Sequence, residues 1–312
     1  MDELDFKIFK SVEFRPFGPA SGDLSRLNPW VIAKKVGADG NTVKVRLDKM
    51  KKSGFIRYFQ IYPNFRLLGV HGAAYLFDVR DVLENSEVIG KCSLVDGVTE
   101  IHNFIGSNFC IDFTYADSND EGRRLELFRH LTHCESPERF YERVMPPVEV
   151  ELSTVDWRII KSLRYNAFKP LSAVAKELGL SAKTVRRRFD RMARNNAIIV
   201  VPLVNPADIP NTITHVILLY PEPERREEVL KAAMEAFKDT CFLARTAPPG
   251  NAMICLAART LGETEENLIR ARRIDGIQDA KLLILREITE YTQWIDSAIE
   301  RKISEPARVD LN

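Results

Sequence analysis

Ser181-Ala-Lys-Thr-Val-Arg-Arg-Arg-Phe-Asp-Arg-Met-Ala-Arg-Asn-Asn-Ala-Ile-Ile-Val-Val-Pro-Leu-Val204 decides the fold, because it occurs twice. Its first copy is Asp39-Gly-Asn-Thr-Val-Lys-Val-Arg-Leu-Asp-Lys-Met-Lys-Lys-Ser-Gly-Phe-Ile-Arg-Tyr-Phe-Gln-Ile-Tyr62, and Thr184, Val185, Arg188, Asp190, Met192 and Ile198 fall on Thr42, Val43, Arg46, Asp48, Met50 and Ile56 at one offset of 142 residues. An internal repeat of this kind dictates the architecture before any single residue does. In each copy a small polar residue, Ser181 or Asn41, stands where a helix start needs an acceptor for its free amides. Val185, Phe189 and Met192, and Val43, Leu47 and Met50, recur at i, i+4 and i+7, which turns one helical face inward. The outward residues are basic: Lys183, Arg186, Arg187, Arg188, Arg191 and Arg194 in one copy, and Lys44, Arg46, Lys49, Lys51, Lys52 and Arg57 in the other.

That basicity is local. The whole chain has 45 Lys and Arg against 44 Asp and Glu, a formal net charge of +1, so a surface able to hold a polyanion has to be concentrated somewhere. The two repeated helices concentrate it. At 312 residues the chain exceeds one ordinary domain, and 45% hydrophobic with 29% charged residues is the composition of a soluble globular protein. There is no apolar run of bilayer length and no signal peptide, so a cytoplasmic, nucleoid-associated location without membrane contact is expected. Cys92, Cys110, Cys134, Cys241 and Cys255 are odd in number and far apart, which predicts reduced thiols rather than a disulfide framework.

Upstream of each repeated helix stand two more predicted helices. Asp2–Lys10 and Ser153–Leu163 come first, the second with Ser153 and Asp156 spaced as a capping box. Pro29–Val36 and Pro170–Leu178 follow, each ended by a glycine, Gly37 or Gly179. Helix, short Gly-containing turn, helix is a helix-turn-helix, and the β-rich segments Phe55–Tyr62 and Ile198–Val204 are predicted to form wings. The rest of each half predicts strand, helix, strand, strand, helix, strand. The segments are 71–79, 81–91, 98–105, 108–115, 121–134 and 140–150, then 214–220, 224–238, 242–246, 252–258, 263–273 and 280–288. This is a ferredoxin-like βαββαβ pattern, twice. A last helix over 289–303 carries Tyr291, Ile295, Ala298 and Ile299 on one stripe, suited to covering a sheet or to an oligomer contact.

The expected fold class is therefore α+β. The domains are a winged helix-turn-helix over 1–64, a ferredoxin-like domain over 65–150, a second winged helix-turn-helix over 151–206, a second ferredoxin-like domain over 207–290, and a C-terminal helix and tail over 291–312.

This arrangement resembles the Lrp/AsnC (feast/famine) family of transcription regulators, as a tandem fusion of two units whose second domains are of the RAM type. The resemblance rests on Leu4-Asp-Phe-Lys-Ile-Phe, Ile32-Ala-Lys-Lys-Val-Gly, Asn41-Thr-Val-Lys-Val-Arg-Leu-Asp-Lys-Met and Gly54-Phe-Ile. In the second half it rests on Val155-Asp-Trp-Arg-Ile-Ile and on Val174 to Met192. It implies double-stranded DNA as partner, an intrachain pseudo-dimer made by the two βαββαβ domains, and a small-molecule effector between them. It leaves room for a further homodimer.

For DNA, Asn41, Thr42, Lys44, Val45, Ser181, Lys183, Thr184 and Arg187 are expected at base edges. Arg46, Lys49, Lys52, Arg186, Arg188 and Arg191 are expected to contact phosphates or brace the domain. The outward residues differ between copies, so an asymmetric site is expected. The family's effector turn carries Gly followed three residues later by Asp; here Phe109 and Met253 stand at that place. If an effector binds, Gly106, Ser107 and Asn108, with Gly250 and Asn251, are nearest.

No catalytic motif, cofactor or metal is expected, and the chain reads as a non-enzyme. His130, His133 and Cys134 could suggest zinc, but two histidines one turn apart on a polar helix are solvated surface. Two other readings stand beside the main one. One is a winged-helix module that binds protein. The other is a siroheme-decarboxylase-like enzyme, a class that resembles Lrp/AsnC proteins in fold and uses histidines and basic residues of the βαββαβ region. His71, His102 and His215 lie in that region.

Overall fold

The computed structural model describes residues 2–13, 27–79, 85–106, 108–204, 209, 211–247 and 251–305. In chain order the first half holds α1 (Glu3–Glu13), α2 (Pro29–Val36), α3 (Gly40–Lys52), β1 (Ile56–Pro63), β2 (His71–Asp78), α4 (Asn85–Ser93), β3 (Val98–Phe104), β4 (Asn108–Tyr115), α5 (Ser118–Thr132) and β5 (Glu138–Glu142). The second half holds α6 (Thr154–Leu163), α7 (Leu171–Leu178), α8 (Ala182–Arg194), β6 (Ile198–Val204), β7 (Ile213–Pro221), α9 (Arg226–Ala236), β8 (Cys241–Ala247), β9 (Asn251–Ala258), α10 (Leu261–Arg272), β10 (Ile277–Glu290) and α11 (Gln293–Ser304). The fold is α+β, helix-turn-helix units alternating with βαββαβ units. Among the described residues no helix is long and apolar enough to cross a membrane.

The chain divides into two compact units that cut across its sequence order. One gathers residues 1–10, 71–143 and 205–291; the other gathers 11–70, 144–204 and 292–312. The two βαββαβ halves therefore share one unit, and α2, α3, α7 and α8 share the other, while residues 1–10, predicted as the first helix of the N-terminal helix-turn-helix domain, belong to the βαββαβ unit.

The first unit is built on an eight-stranded sheet in the order β5-β2-β4-β3-β10-β7-β9-β8. Each half has the same internal order, with the third strand between the first and the second. Alternation explains the two faces. Ala73, Tyr75, Phe77, Phe109, Ile111 and Phe113 point to one side and pack with Val88, Cys92 and Phe128 of α4 and α5. Ile217, Leu219, Ile254 and Leu256 do the same with Ala233, Phe237 and Ala271 of α9 and α10. The halves join where β10 runs past its own partner β7 and pairs antiparallel with β3, Ile288 opposite His102 and Glu290 opposite Glu100.

In the second unit the strands predicted as wings make no hairpins. β1 and β6 pair with each other, antiparallel, from Ile56 opposite Val204 to Pro63 opposite Ile198. Each copy offers one strand, and a strand with unpaired N–H and C=O groups finds its partner in the other copy. Arg164 fastens this ribbon. Nearly buried, it donates to the Gln60 Oε1 at 2.7 Å and to Asp296 at 3.1 Å, and its guanidinium lies 4.3 Å from the Tyr62 ring centre.

Three further expectations shift. The strand predicted over 140–150 ends at Glu142, before Pro146 and Pro147, which have no N–H for a ladder; the Pro146 carbonyl instead accepts from Asn64 at 3.0 Å. The last helix starts at Gln293, not 289, because β10 keeps pairing with β3 to Glu290. Tyr291 accordingly leaves the helical stripe and packs on the first sheet's core, while Trp294, Ile295, Ala298 and Ile299 of α11 are buried in the helix-turn-helix unit and α11 packs on α6. The tail from 306 and most of the long loop over 13–28 lie outside the described residues.

Candidate nucleic-acid interface

α3 and α8 present the basic faces. In α8, Ser181 caps the helix as expected, its Oγ accepting from the Thr184 amide at 3.0 Å. In α3 the cap is Asp39, which accepts from the amides of Asn41 at 2.8 Å and Thr42 at 3.3 Å. This corrects the assignment of the cap to Asn41. Asp is as good an N-cap as Asn, and its use leaves the Asn41 side chain exposed on the outward face. Gly40 sits under the Trp30 ring: a Cβ there would come within 2.6 Å of the indole.

The buried stripe is as the periodicity required, with Val43, Leu47 and Met50 in α3 and Val185, Phe189 and Met192 in α8. Asn41, Thr42, Lys44, Val45, Lys49 and Lys52 are exposed, and Arg46 is half-buried. In the other copy Ser181, Lys183, Arg186 and Arg187 are exposed, Thr184 less so.

Arg188 and Arg191 face a buried carboxylate. Asp156, with no exposed surface, accepts from Arg188 Nη1 and from Arg191 Nη2, both at 3.0 Å, and from the Ser153 amide at 2.9 Å in the predicted capping box. Arg188 also reaches Ser153 Oγ at 3.1 Å and Arg191 the Glu151 carbonyl at 3.1 Å. These two arginines lock α8 to the start of α6. The outward field of α8 is therefore carried by Lys183, Arg186 and Arg187, with Arg194 in the last turn, where its Nε donates to the Asp190 carbonyl at 3.2 Å.

The effector candidates divide differently. Gly106 is exposed with φ +100°, while Ser107 and Gly250 lie outside the described residues. Asn108 Oδ1 accepts from Lys281 at 3.1 Å, and Asn251 Nδ2 donates to Glu138 at 2.6 Å. Asn108 matches Asn251 and Glu138 matches Lys281 at an offset of 143, so both asparagines tie one βαββαβ half to the other.

The first half also holds a polar cluster that periodicity left unread. Fully buried Asp112 accepts from Thr99 Oγ1 at 2.7 Å, from the Tyr141 hydroxyl and from Arg143; Glu100 accepts from His102 at 3.1 Å. Burial pushes the Glu100 carboxyl up, but the His102 hydrogen bond and the charges of Arg143 and Arg245 outweigh it and hold it below the usual carboxylate range. Burial also raises the Tyr141 phenol, as does the Asp112 charge. The matching positions in the second half are Leu243 and Cys255. The legible signal was polar residues alternating with core residues along otherwise apolar strands.

His215 is buried and neutral by geometry, its Nδ1–H donating to the Ile213 carbonyl at 3.3 Å and its Nε2 accepting from Asn267 at 3.2 Å. Desolvation accordingly lowers its pKa. His130 is exposed on α5, and His133 ends that helix in the left-handed region at φ 53°.

The class defined by these features is a tandem helix-turn-helix protein with a fused βαββαβ pair. Residues 152–193 match the AsnC-type helix-turn-helix domain. An uncharacterized HTH-type transcriptional regulator of Pyrococcus horikoshii is 29% identical over 85 residues, 26% of this chain and 57% of the relative. The HTH-type transcriptional regulator Ptr1 of Methanocaldococcus jannaschii is 31% identical over 85 residues, 27% and 57%. The chain thus spans a little over half the length of the curated relatives it matches. It carries an AsnC-type helix-turn-helix over residues 152–193 and is similar to HTH-type transcriptional regulators over about a quarter of its length.

End to end, the chain shares its fold with the crystal structure of the siroheme decarboxylase NirDL, at TM-score 0.59 and 18% identity, with 97% of this chain and 99% of that one covered. A structure of NirDL in co-complex with an iron-uroporphyrin III analogue matches equally well, at 17% identity. This overturns the expectation that the chain is not an enzyme: the architecture that matches over its whole length belongs to one.

Proposed function

We propose that the chain is a sequence-specific, double-stranded-DNA-binding transcription regulator of the Lrp/AsnC type, with two non-identical reading helices in one polypeptide. The observation that carries this reading is that α3 and α8 belong to one compact unit, joined by the β1–β6 ribbon, each with a packed inner stripe and a basic outer face. The AsnC-type match over 152–193 supports it. The β3–β10 pairing supports a chain that makes its own pseudo-dimer. DNA contacts fall to Asn41, Thr42, Lys44, Val45, Lys49 and Lys52, and to Ser181, Lys183, Thr184, Arg186 and Arg187. A small metabolite bound by the βαββαβ pair would modulate them, and the protein would work on the nucleoid in the cytoplasm.

The test is selection of bound sequences from random duplex DNA by the purified chain at near-physiological salt. An enriched motif is expected, with affinity falling roughly a thousandfold between 50 and 200 mM salt for about six phosphate contacts. Weak binding without enrichment overturns sequence specificity.

A second reading rests on the whole-chain likeness to NirDL: the βαββαβ pair would take an iron tetrapyrrole as substrate. Fold alone does not carry chemistry, so its test is direct. A Soret band shift on adding siroheme, lost in His102→Ala, supports it; an unperturbed spectrum rejects it.

A further inference from the structure

At the 142-residue offset, Asn41 and Val45 of α3 stand where Lys183 and Arg187 stand in α8. Within each pair the spacing is four, so both members share one outward face of the helix near its N-terminal end. That is the part of a reading helix that reaches base edges.

The two faces differ in chemistry. Val45 is 66% exposed, an apolar branched side chain on an otherwise basic surface. It gains nothing there from helix propensity, but it suits the C5-methyl of thymine. Asn41, released from capping by Asp39, has a free amide of the kind that pairs bidentately with adenine N6 and N7. Lys183 and Arg187 offer only donors, and donors match guanine O6 and N7. Asp156 engages Arg188 and Arg191, which leaves Lys183, Arg186, Arg187 and, in the last turn, Arg194 as the outward cations of α8; of these Lys183 and Arg187 share the face that matches Asn41 and Val45.

We infer that the two helices are matched to different base pairs: α3 reads an A·T half-site through Asn41 and Val45, and α8 reads a guanine-bearing half-site through Lys183 and Arg187. The inference rests on the DNA-binding reading above and deepens it by naming the class of sequence.

Selection from random duplex DNA is run with the full chain and with its Val45→Arg and Arg187→Val variants, both exposed positions outside the packed stripes. The unaltered chain is expected to enrich a bipartite site, one half rich in A·T and the other carrying guanine. Arg187→Val should erase the guanine preference and weaken binding to the parental site roughly tenfold to a hundredfold. Val45→Arg should bring guanine into the first half. Trp30, 55% exposed against Gly40, gives a second readout, since Trp157 and Trp294 are buried. Duplexes carrying the A·T half should change tryptophan fluorescence more than those carrying the guanine half alone. Identical half-sites, or a motif unchanged by Arg187→Val, would overturn the inference while leaving a DNA-binding regulator. Absence of any DNA enrichment would overturn the regulator reading as well, and the two failures are thus distinct.

Discussion

α3 and α8 occupy matching places in the repeat and turn matching stripes inward, Val43, Leu47 and Met50 against Val185, Phe189 and Met192, yet they are capped and equipped differently. α8 is clamped to α6 through Asp156, which uses two of its arginines. The residues matching them in α3 are Arg46 and Lys49, and Lys49 is exposed. α3 starts on Asp39, bears Val45 on its rim and has Trp30 of α2 against its Gly40; α8 starts on Ser181 and bears Lys183 and Arg187. Duplication supplied one scaffold, and the two helices diverge most in their caps and on their outward surface. Packing constrains the inner stripe in both copies, whereas positions 45 and 187 are exposed.

The largest effect is expected where the two helices differ in charge. Arg186→Ala with Arg187→Ala should lower duplex affinity roughly a hundredfold, measured by fluorescence anisotropy, while Lys231→Ala on exposed α9 should leave it unchanged. Equal losses would remove α8 from the interface.

Next comes the brace. Asp156→Asn leaves both arginines without their carboxylate and should cost about 2 kcal/mol of stability in calorimetry. Arg186→Ala should cost under about 0.5 kcal/mol. A silent Asp156→Asn would mean that α8 is held by its stripe alone.

The caps provide a smaller contrast. Asp39→Ala should destabilise by about 1 kcal/mol and Asn41→Ala by clearly less, with the reverse order restoring Asn41 as the cap.

The smallest effect concerns the βαββαβ unit. The lowered pKa of His215 means that the unfolded chain takes up a proton there before the folded chain does. Stability should therefore fall as pH drops below about 6.5, the ordinary histidine value, and that part of the dependence should vanish in His215→Leu. An unchanged pH profile in the variant would show that protonation elsewhere governs it.

Much of this protein was legible as pattern. The repeat, the period-3.6 stripes and the twofold βαββαβ order follow from short-range sequence because burial on one face of a helix or strand demands that periodicity. The basic faces of α3 and α8 were likewise visible, since exposed charge needs no tertiary partner. The capping box at Ser153 and Asp156 was legible too; that Asp156 would also hold Arg188 and Arg191 was not, because those partners lie 32 and 35 residues away.

What the sequence determined by itself is therefore the set of elements and the inner and outer face of each. The tertiary structure decided which copies of those elements meet. It paired β1 with β6 instead of folding each into a wing, lengthened β10 so that it spans two halves of one sheet, and gathered the two βαββαβ halves into one unit together with residues 1–10. Strand pairing and buried ion pairs depend on backbone groups and carboxylates that are satisfied by residues distant in sequence. No local pattern records which of several chemically equivalent partners will be near.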